Sequence, residues 1–261
     1  MYGQELKYTK LSNWKGRLVF AIFGETYPGH LIRFFINRRY FGKYTNKRCF
    51  KILEMGTNNG AFAFWLSRNP DYTVIGLEYN KTLAIDCQQI CAKINRSNLF
   101  FICADASAGF PLKINFDIIF LTHVLEHILN DQEVLFNTFK ALKPGGILLL
   151  QVPYGDTSKV SLYEAVENGH VRDGYTEYDL CRKLEHAGFE IVIATGVIGK
   201  ISHFAYRFAK RLAKIRIIAN FAVLFFSSYL YFNLSGASYC FLRIRETDFK
   251  HGPPAVTRRP L

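Results

Sequence analysis

KILEMGTNNGAFAF, residues 51–64, passes from an apolar strand through a turn into a helix. The turn holds two glycines, Gly56 and Gly60, and two asparagines, Asn58 and Asn59. A glycine-rich corner after a first strand brings backbone amides and a helix N-terminus close to a nucleotide. Register decides which nucleotide. A dinucleotide fingerprint, G-x-G-x-x-G, needs glycine at 56, 58 and 61, whereas the chain has Gly56, Asn58 and Ala61. A phosphate-binding P-loop needs a closing Gly-Lys-Ser/Thr, which is absent. The pattern acid-x-G-x-G-x-G fits at Glu54, Gly56 and Gly60 and departs at Asn58. After glycine, asparagine is the residue that best tolerates a left-handed backbone, so the departure predicts a weakened corner and not a lost one.

Outward from this corner the chain alternates strand and helix. FKILEM (50–55), YTVIGLE (72–78), NLFFICAD (98–105), FDIIFL (116–121), GILLLQVP (146–153) and EIVIATGV (190–197) read as strands. GAFAFWLSRN (60–69), KTLAIDCQQICAKIN (81–95), DQEVLFNTFKAL (131–142) and EYDLCRKLEHAGF (177–189) read as helices. KPGG after residue 142 and Gly188 stop the last two. Strands apolar throughout are buried on both faces, which calls for a parallel sheet covered by helices and right-handed crossovers. ASYCFLRIRE (237–246) is the natural last strand. In such sheets the ligand lies beyond the carboxyl ends of the strands. Three strands carry an acid there: Glu54, Glu78 and Asp105.

Together, the corner at 54–60, VIGLEYN (74–80), CADAS (103–107), the run from 116 to 153 and GHVRDGYTEYDLCRKLEHAGFEIV (169–192) resemble the class I S-adenosylmethionine-dependent methyltransferases, in a type 11/23-like branch. The resemblance covers roughly residues 50–198 and keeps the family's motif order. It implies an α/β, Rossmann-like, doubly wound fold. The sheet would have seven mostly parallel strands with an antiparallel last strand, flanked by N-terminal helices and a helical insertion before that strand. It implies S-adenosyl-L-methionine as cofactor. The cofactor contacts it implies are Glu54, Met55, Gly56, Thr57, Asn58 and Gly60 at the first corner, Glu78 and Tyr79 at the ribose, Asp105 and Ala106 at the adenine, and Thr122 and His123 after the fourth strand.

Methyl transfer needs alignment of nucleophile, methyl and sulfur more than it needs a fixed catalytic motif. A base is required only where the nucleophile arrives protonated. His170 is the leading candidate for a base or an acceptor contact, with His123 and Tyr154 lining the same pocket; Arg172 shares the His170 loop. A surface-loop histidine is the bland alternative for His170. His123, Glu126 and His127 also spell H-x-x-E-H, a zinc-peptidase pattern. It is set aside because the family resembled regularly carries a similar string at this place and because no further ligand cluster is evident in the sequence, and no metal is expected; His127 reads as a structural partner on the following helix.

Charge separates the chain into three parts. Residues 1–49 carry a balance of +8, residues 50–198 of −5 and residues 199–261 of +9. Basic flanks around a mildly acidic core attract phosphate or other anions. The reading is a basic helical cap over 1–49, the cofactor-binding core over 50–198, a basic amphipathic and apolar helical insertion over 199–236, the last strand over 237–246 and a flexible tail over 247–261. Residues 203–216 place Phe204, Phe208 and Leu212 on one arc and Arg207, Lys210, Arg211 and Lys214 on the next, as for a helix lying on an anionic membrane surface. Packing of that stripe on the sheet is the competing reading. Six cysteines without a C-x-x-C pair, and an N-terminal apolar run too short for a signal core, fit a cytoplasmic or peripheral membrane protein. The expected function is methylation, on oxygen first, of a small or lipid-linked acceptor, an anionic one suiting the flanks. An RNA methyltransferase and a non-catalytic cofactor-binding pseudo-enzyme are the rivals. Against RNA, LTHVLEH stands where a base-methylation string would follow the fourth strand.

Overall fold

The computed structural model describes residues 28–44, 50–109, 114–156, 158, 169–196 and 239–246. The expected insertion over 199–236, its membrane-facing stretch 203–216, the tail 247–261 and residues 1–27 of the N-terminal cap lie outside the described residues.

The helices are α1 (Pro28–Tyr44), α2 (Ala61–Leu66), α3 (Lys81–Lys93), α4 (Asp131–Ala141) and α5 (Glu177–His186). The strands are β1 (Phe50–Met55), β2 (Tyr72–Glu78), β3 (Leu99–Cys103), β4 (Phe116–Thr122), β5 (Leu142–Pro153), β6 (Phe189–Gly196) and β7 (Tyr239–Glu246). β1 to β5 form the parallel α/β core that the apolar runs predict, in the order β3-β2-β1-β4-β5. β7 pairs antiparallel with β5 and with β6, completing the order at that edge. The chain builds outward from β1 to β3, then returns to the other side of β1 with β4. That reversal opens a crevice at the carboxyl ends of β1 and β4, where ligands of doubly wound sheets bind.

Alternation along β1 shows how the sheet divides the core. Ile52 packs with the cluster that includes Val74, Phe120, Phe62, Cys87 and Ile90, beneath α1, α2 and α3. Its neighbour Leu53 packs with Ile75, Ile119, Leu135, Phe139 and Leu184, beneath α4 and α5. Both are completely buried, and each such side chain contributes about 1.5–3 kcal/mol of transfer free energy.

The helix starts follow local chemistry. Asn80 caps α3, its side chain accepting from the amides of Thr82 and Leu83. Thr176 caps α5 by accepting from the Asp179 amide. α4 ends at Ala141, and β5 begins four residues before the apolar pattern predicts. A register irregularity between Phe116↔Leu142 and Ile118↔Ile147 accommodates Pro144, Gly145 and Gly146.

The basic N-terminal segment is anchored by its apolar side. Phe34, Asn37 and Phe41 lie along one face of α1 and are buried, while Arg38 and Arg39 are exposed. Phe34 meets Phe62 and Trp65 edge-on at 5.5 and 5.6 Å, and the Arg38 guanidinium sits 5.5 Å from the centre of the Trp65 ring. Asn37 ties the helix to the crevice. Its amide donates to Thr122 Oγ1 at 3.0 Å, and its carbonyl oxygen accepts from Gln151 Nε2. No described helix is long and apolar enough to cross a membrane.

Candidate functional site

The first corner is built from left-handed residues. Gly56, Asn58 and Gly60 have φ of 68°, 51° and 74°. Asn58 therefore takes the conformation that the glycine of the pattern would take. The Gly56 and Thr57 amides donate to the Leu77 carbonyl at 2.8 and 3.1 Å, which folds the turn back onto β2. Thr57 Oγ1 donates to Glu54 Oε2 at 2.8 Å. Glu78 receives the Asn58 amide at 2.7 Å on one carboxylate oxygen and the Asn80 amide at 2.9 Å on the other. The acid at the end of β2 thus holds the shape of the corner as well as standing at the crevice. Behind the turn, Cys87 Sγ lies 3.5 Å from the Asn58 carbonyl, and burial pushes its thiol far up, so it packs without reacting.

Strand register brings the other predicted residues to the same rim. Met55 is level with Leu77 and Leu121, which places Glu78 and Thr122 one step beyond. Cys103 is level with Glu78, so Asp105 and Ala106 follow two and three residues past it. Asp105 is exposed and turns the chain by accepting from the Ser107 amide and hydroxyl at 2.8 and 2.7 Å. Met55 and Ala106 are buried, while Tyr79 is 75% exposed and Tyr154 56% exposed at the end of β5. Tyr154 is therefore a rim residue in this conformation and not an enclosed one.

At the end of β4 the chain breaks from the strand through His123, whose φ of 54° is unusual for a non-glycine. The His123 amide still donates to the Gln151 carbonyl at 2.8 Å, so the main chain stays at the carboxyl end of the sheet between β1 and β5. His123 Nδ1 lies 3.0 Å from Glu126 Oε1, with Glu126 fully buried. Burial lowers the His123 imidazole well below its usual range, helped by the nearby Arg33 charge, and burial raises the Glu126 carboxyl. The contact is a hydrogen bond between weakly charged groups and not a strong ion pair. Burial likewise lowers His127.

The loop between β5 and α5 is stapled to this corner. The Val171 amide donates to the Glu126 carbonyl at 2.8 Å, and His127 Nδ1 lies 3.3 Å from the Gly169 carbonyl. The rings of His127 and His170 meet edge-on with centres 4.6 Å apart. Gly155 and Gly174 allow the close approach of the loop to the end of β5. A Cβ on Gly174 would stand 2.4 Å from the Pro153 carbonyl oxygen. Arg172, which the sequence places beside His170 in a substrate-facing loop, is instead a buried anchor. It binds the Asp131 carboxylate and donates to the Tyr175 hydroxyl at 2.5 Å and to the Ile128 and Leu129 carbonyls at 3.0 and 2.9 Å. The fold also brings His170 to the H-x-x-E-H string, where one ligand atom each of Glu126, His127 and His170 lies within 4.8 Å of the others.

Three residues escape the sequence reading. Asn37 and Gln151 lock α1 to the crevice, and His30 sits at the start of α1 with its imidazole lowered to about 3 by burial, by Arg33 and by His123. An asparagine between aromatic residues on a helix is a weak signal for such a lock. His30 yields a stability prediction. Between pH 6.5 and 3 the unfolded chain protonates this histidine and the folded chain does not, so acidification favours unfolding. Stability falls by about 1.4 kcal/mol per pH unit on this account as pH drops below 6.5. Urea unfolding of His30→Gln is expected to show a correspondingly shallower loss between pH 6.5 and 5; an unchanged slope refutes the assignment.

Residues 26–194 match the sequence profile of a family described as a methyltransferase domain. No curated protein matches the chain. Among solved structures, the [4+2]-cyclase SpnF is 19% identical with a TM-score of 0.62, over 83% of this chain and 80% of that one. Phosphoethanolamine N-methyltransferase 2 of Haemonchus contortus, in complex with S-adenosyl-L-methionine, is 17% identical with a TM-score of 0.65, over 95% of this chain and 60% of that one. The N-methyltransferase NodS of Bradyrhizobium japonicum WM9, in complex with S-adenosyl-L-homocysteine, is 18% identical with a TM-score of 0.56, over 95% and 99%. At these identities the likeness carries the fold.

Proposed function

The chain belongs to the methyltransferase-domain family and is an S-adenosylmethionine-dependent methyltransferase, and from that premise we propose that it methylates an oxygen of a small or lipid-linked, anionic acceptor. The cofactor supplies a sulfonium methyl that is electrophilic without help from the protein. The donor set at the rim fits this cofactor. Glu78 and Asp105 offer carboxylate acceptors where ribose hydroxyls and an adenine amino group need them, and the left-handed corner at Gly56, Asn58 and Gly60 exposes backbone to the amino-acid end. Glu54, Met55, Thr57, Tyr79, Ala106, Thr122 and His123 complete the proposed seat.

One observation carries the choice of oxygen. Three imidazoles, His123, His127 and His170, gather with a buried carboxyl group beyond β4. A hydroxyl arrives protonated and needs a group that takes its proton as the O–C bond forms. A neutral imidazole has a lone pair for that purpose. His170, partly exposed in the loop after β5, is the proposed acceptor contact, and Tyr154 flanks it. His170→Gln is expected to lower turnover by about 10²-fold or more while leaving S-adenosylhomocysteine affinity within about twofold. Unchanged turnover removes His170 from the site.

The acceptor is tested by incubating the enzyme with lipid extract or lysate and isotopically labelled cofactor, followed by identification of the labelled product. A second reading, transfer to an amine, draws on the likeness to two N-methyltransferases. A label on nitrogen decides for it. The proposed surface contact through residues 203–216 predicts partition onto anionic vesicles, whereas a steep salt dependence of RNA binding would decide for the nucleic-acid rival.

A further inference from the structure

Glu126, His127 and His170 come from two separate segments, yet one ligand atom of each lies within 4.8 Å of the other two. Glu126 is fully buried. Its Oε1 is engaged by His123, and its Oε2 is buried with no hydrogen-bond partner among the described residues. A buried carboxyl oxygen left in that state destabilises the fold, and a cation at the cluster would satisfy it. His127 is already oriented as metal-ligating histidines are. With Nδ1–H donated to the Gly169 carbonyl, its Nε2 carries the free lone pair.

We propose that Glu126, His127 and His170 form a binding site for a divalent ion of the zinc class, beyond the carboxyl end of β4. Two imidazoles and one carboxylate suit zinc and its first-row neighbours, whereas Mg²⁺ prefers an all-oxygen octahedron. Donors about 2.1 Å from a tetrahedral zinc stand roughly 3.4 Å apart, so the cluster closes by at most about 1.4 Å on binding. His127 and His170 are both partly exposed, and rotation of their side chains supplies that movement. The Arg33 charge that reaches Glu126 and His127 opposes the ion, so donor geometry and not surplus negative charge selects it. Three protein donors leave the fourth position to water or to an acceptor oxygen.

The consequence for catalysis rests on the oxygen-acceptor reading. An acceptor hydroxyl held there would be made more acidic by the ion and would pass its proton to solvent water as its oxygen bonds the methyl and the sulfonium C–S bond breaks, and His170 would then serve as ligand and not as base. The ion site does not depend on that reading. The test uses the full chain, stripped with a chelator and titrated with Zn²⁺ in a calorimeter and with Co²⁺ in a spectrophotometer, without any acceptor. One equivalent taken up with visible Co²⁺ absorption is expected. His170→Ala and Glu126→Gln should each weaken uptake by about 100-fold or more while S-adenosylhomocysteine still binds, which certifies their fold. Absence of saturable uptake, uptake unchanged in both variants, or preference for Mg²⁺ over Zn²⁺ overturns the proposal. Because no acceptor is present, a negative result here leaves the acceptor reading untouched. A wrong acceptor, conversely, leaves ion uptake intact.

Discussion

Arg172→Met is expected to lower the unfolding free energy by about 3–5 kcal/mol, measured by urea denaturation at neutral pH. Arg172 is only 8% exposed, and its guanidinium reaches the Asp131 carboxylate, the Tyr175 hydroxyl and two main-chain carbonyls at 128 and 129. Methionine fills much of the same volume but donates nothing. Asp131, 3% exposed at the start of α4, would keep Lys183 Nζ at 2.8 Å and the Tyr175 hydroxyl at 2.8 Å and would lose its buried cation. The two carbonyls would be orphaned at the same time. Loss of one partner from a buried charged network costs more than the pair contributes, because the remaining charge stays out of water. The same network holds the loop that carries His170 against residues 126–131. Arg172→Met should therefore also weaken Zn²⁺ uptake and turnover at temperatures where the chain is still folded. A stability change below about 1 kcal/mol would show that Lys183 alone compensates Asp131 and would sink this account.

The second large effect is at Gly56. Gly56→Val is expected to reduce affinity for S-adenosylhomocysteine by about 10²-fold or more, and to destabilise the fold by about 2–4 kcal/mol. Two costs add. A β-branched side chain at φ 68° is strained whatever surrounds it. A Cβ there would also lie 2.3 Å from Val124 Cγ2, so the Val124 side chain or the segment that carries it must shift. Asn58→Gly is the informative control. Asn58 already holds φ 51° and uses its backbone amide, not its side chain, to reach Glu78. Glycine keeps both, so calorimetric affinity should stay within about threefold of the parent chain. A collapse of binding in Asn58→Gly would mean that the asparagine side chain itself contacts the cofactor.

How far the amino-acid order could be read depends on the range of the interactions involved. The strand boundaries of β1 and β2 follow from apolar runs closed by Glu54–Met55 and Glu78, and the structure places them at the same residues. The corner at 54–60 was legible for a similar reason. Its demands fall on the φ angles of consecutive residues, and glycine and asparagine reveal such demands locally. β5 starts earlier than its apolar run because pairing with Phe116 draws Leu142 into the ladder, and no local pattern records a partner 26 residues away.

The functional corner beyond β4 depended on tertiary structure altogether. His127 and His170 are 43 residues apart and meet because contacts of Val171, Arg172 and Gly174 hold residues 169–175 against the corner beyond β4 and the end of β5. The same folding makes Arg172, in the sequence only a neighbour of His170, a buried anchor, and brings His170 beside Glu126 and His127. Backbone periodicity and turn chemistry are properties of neighbours in the chain, so the strand order of residues announces them. Burial and convergence of side chains depend on which distant segments share a space, and only the packed molecule sets that.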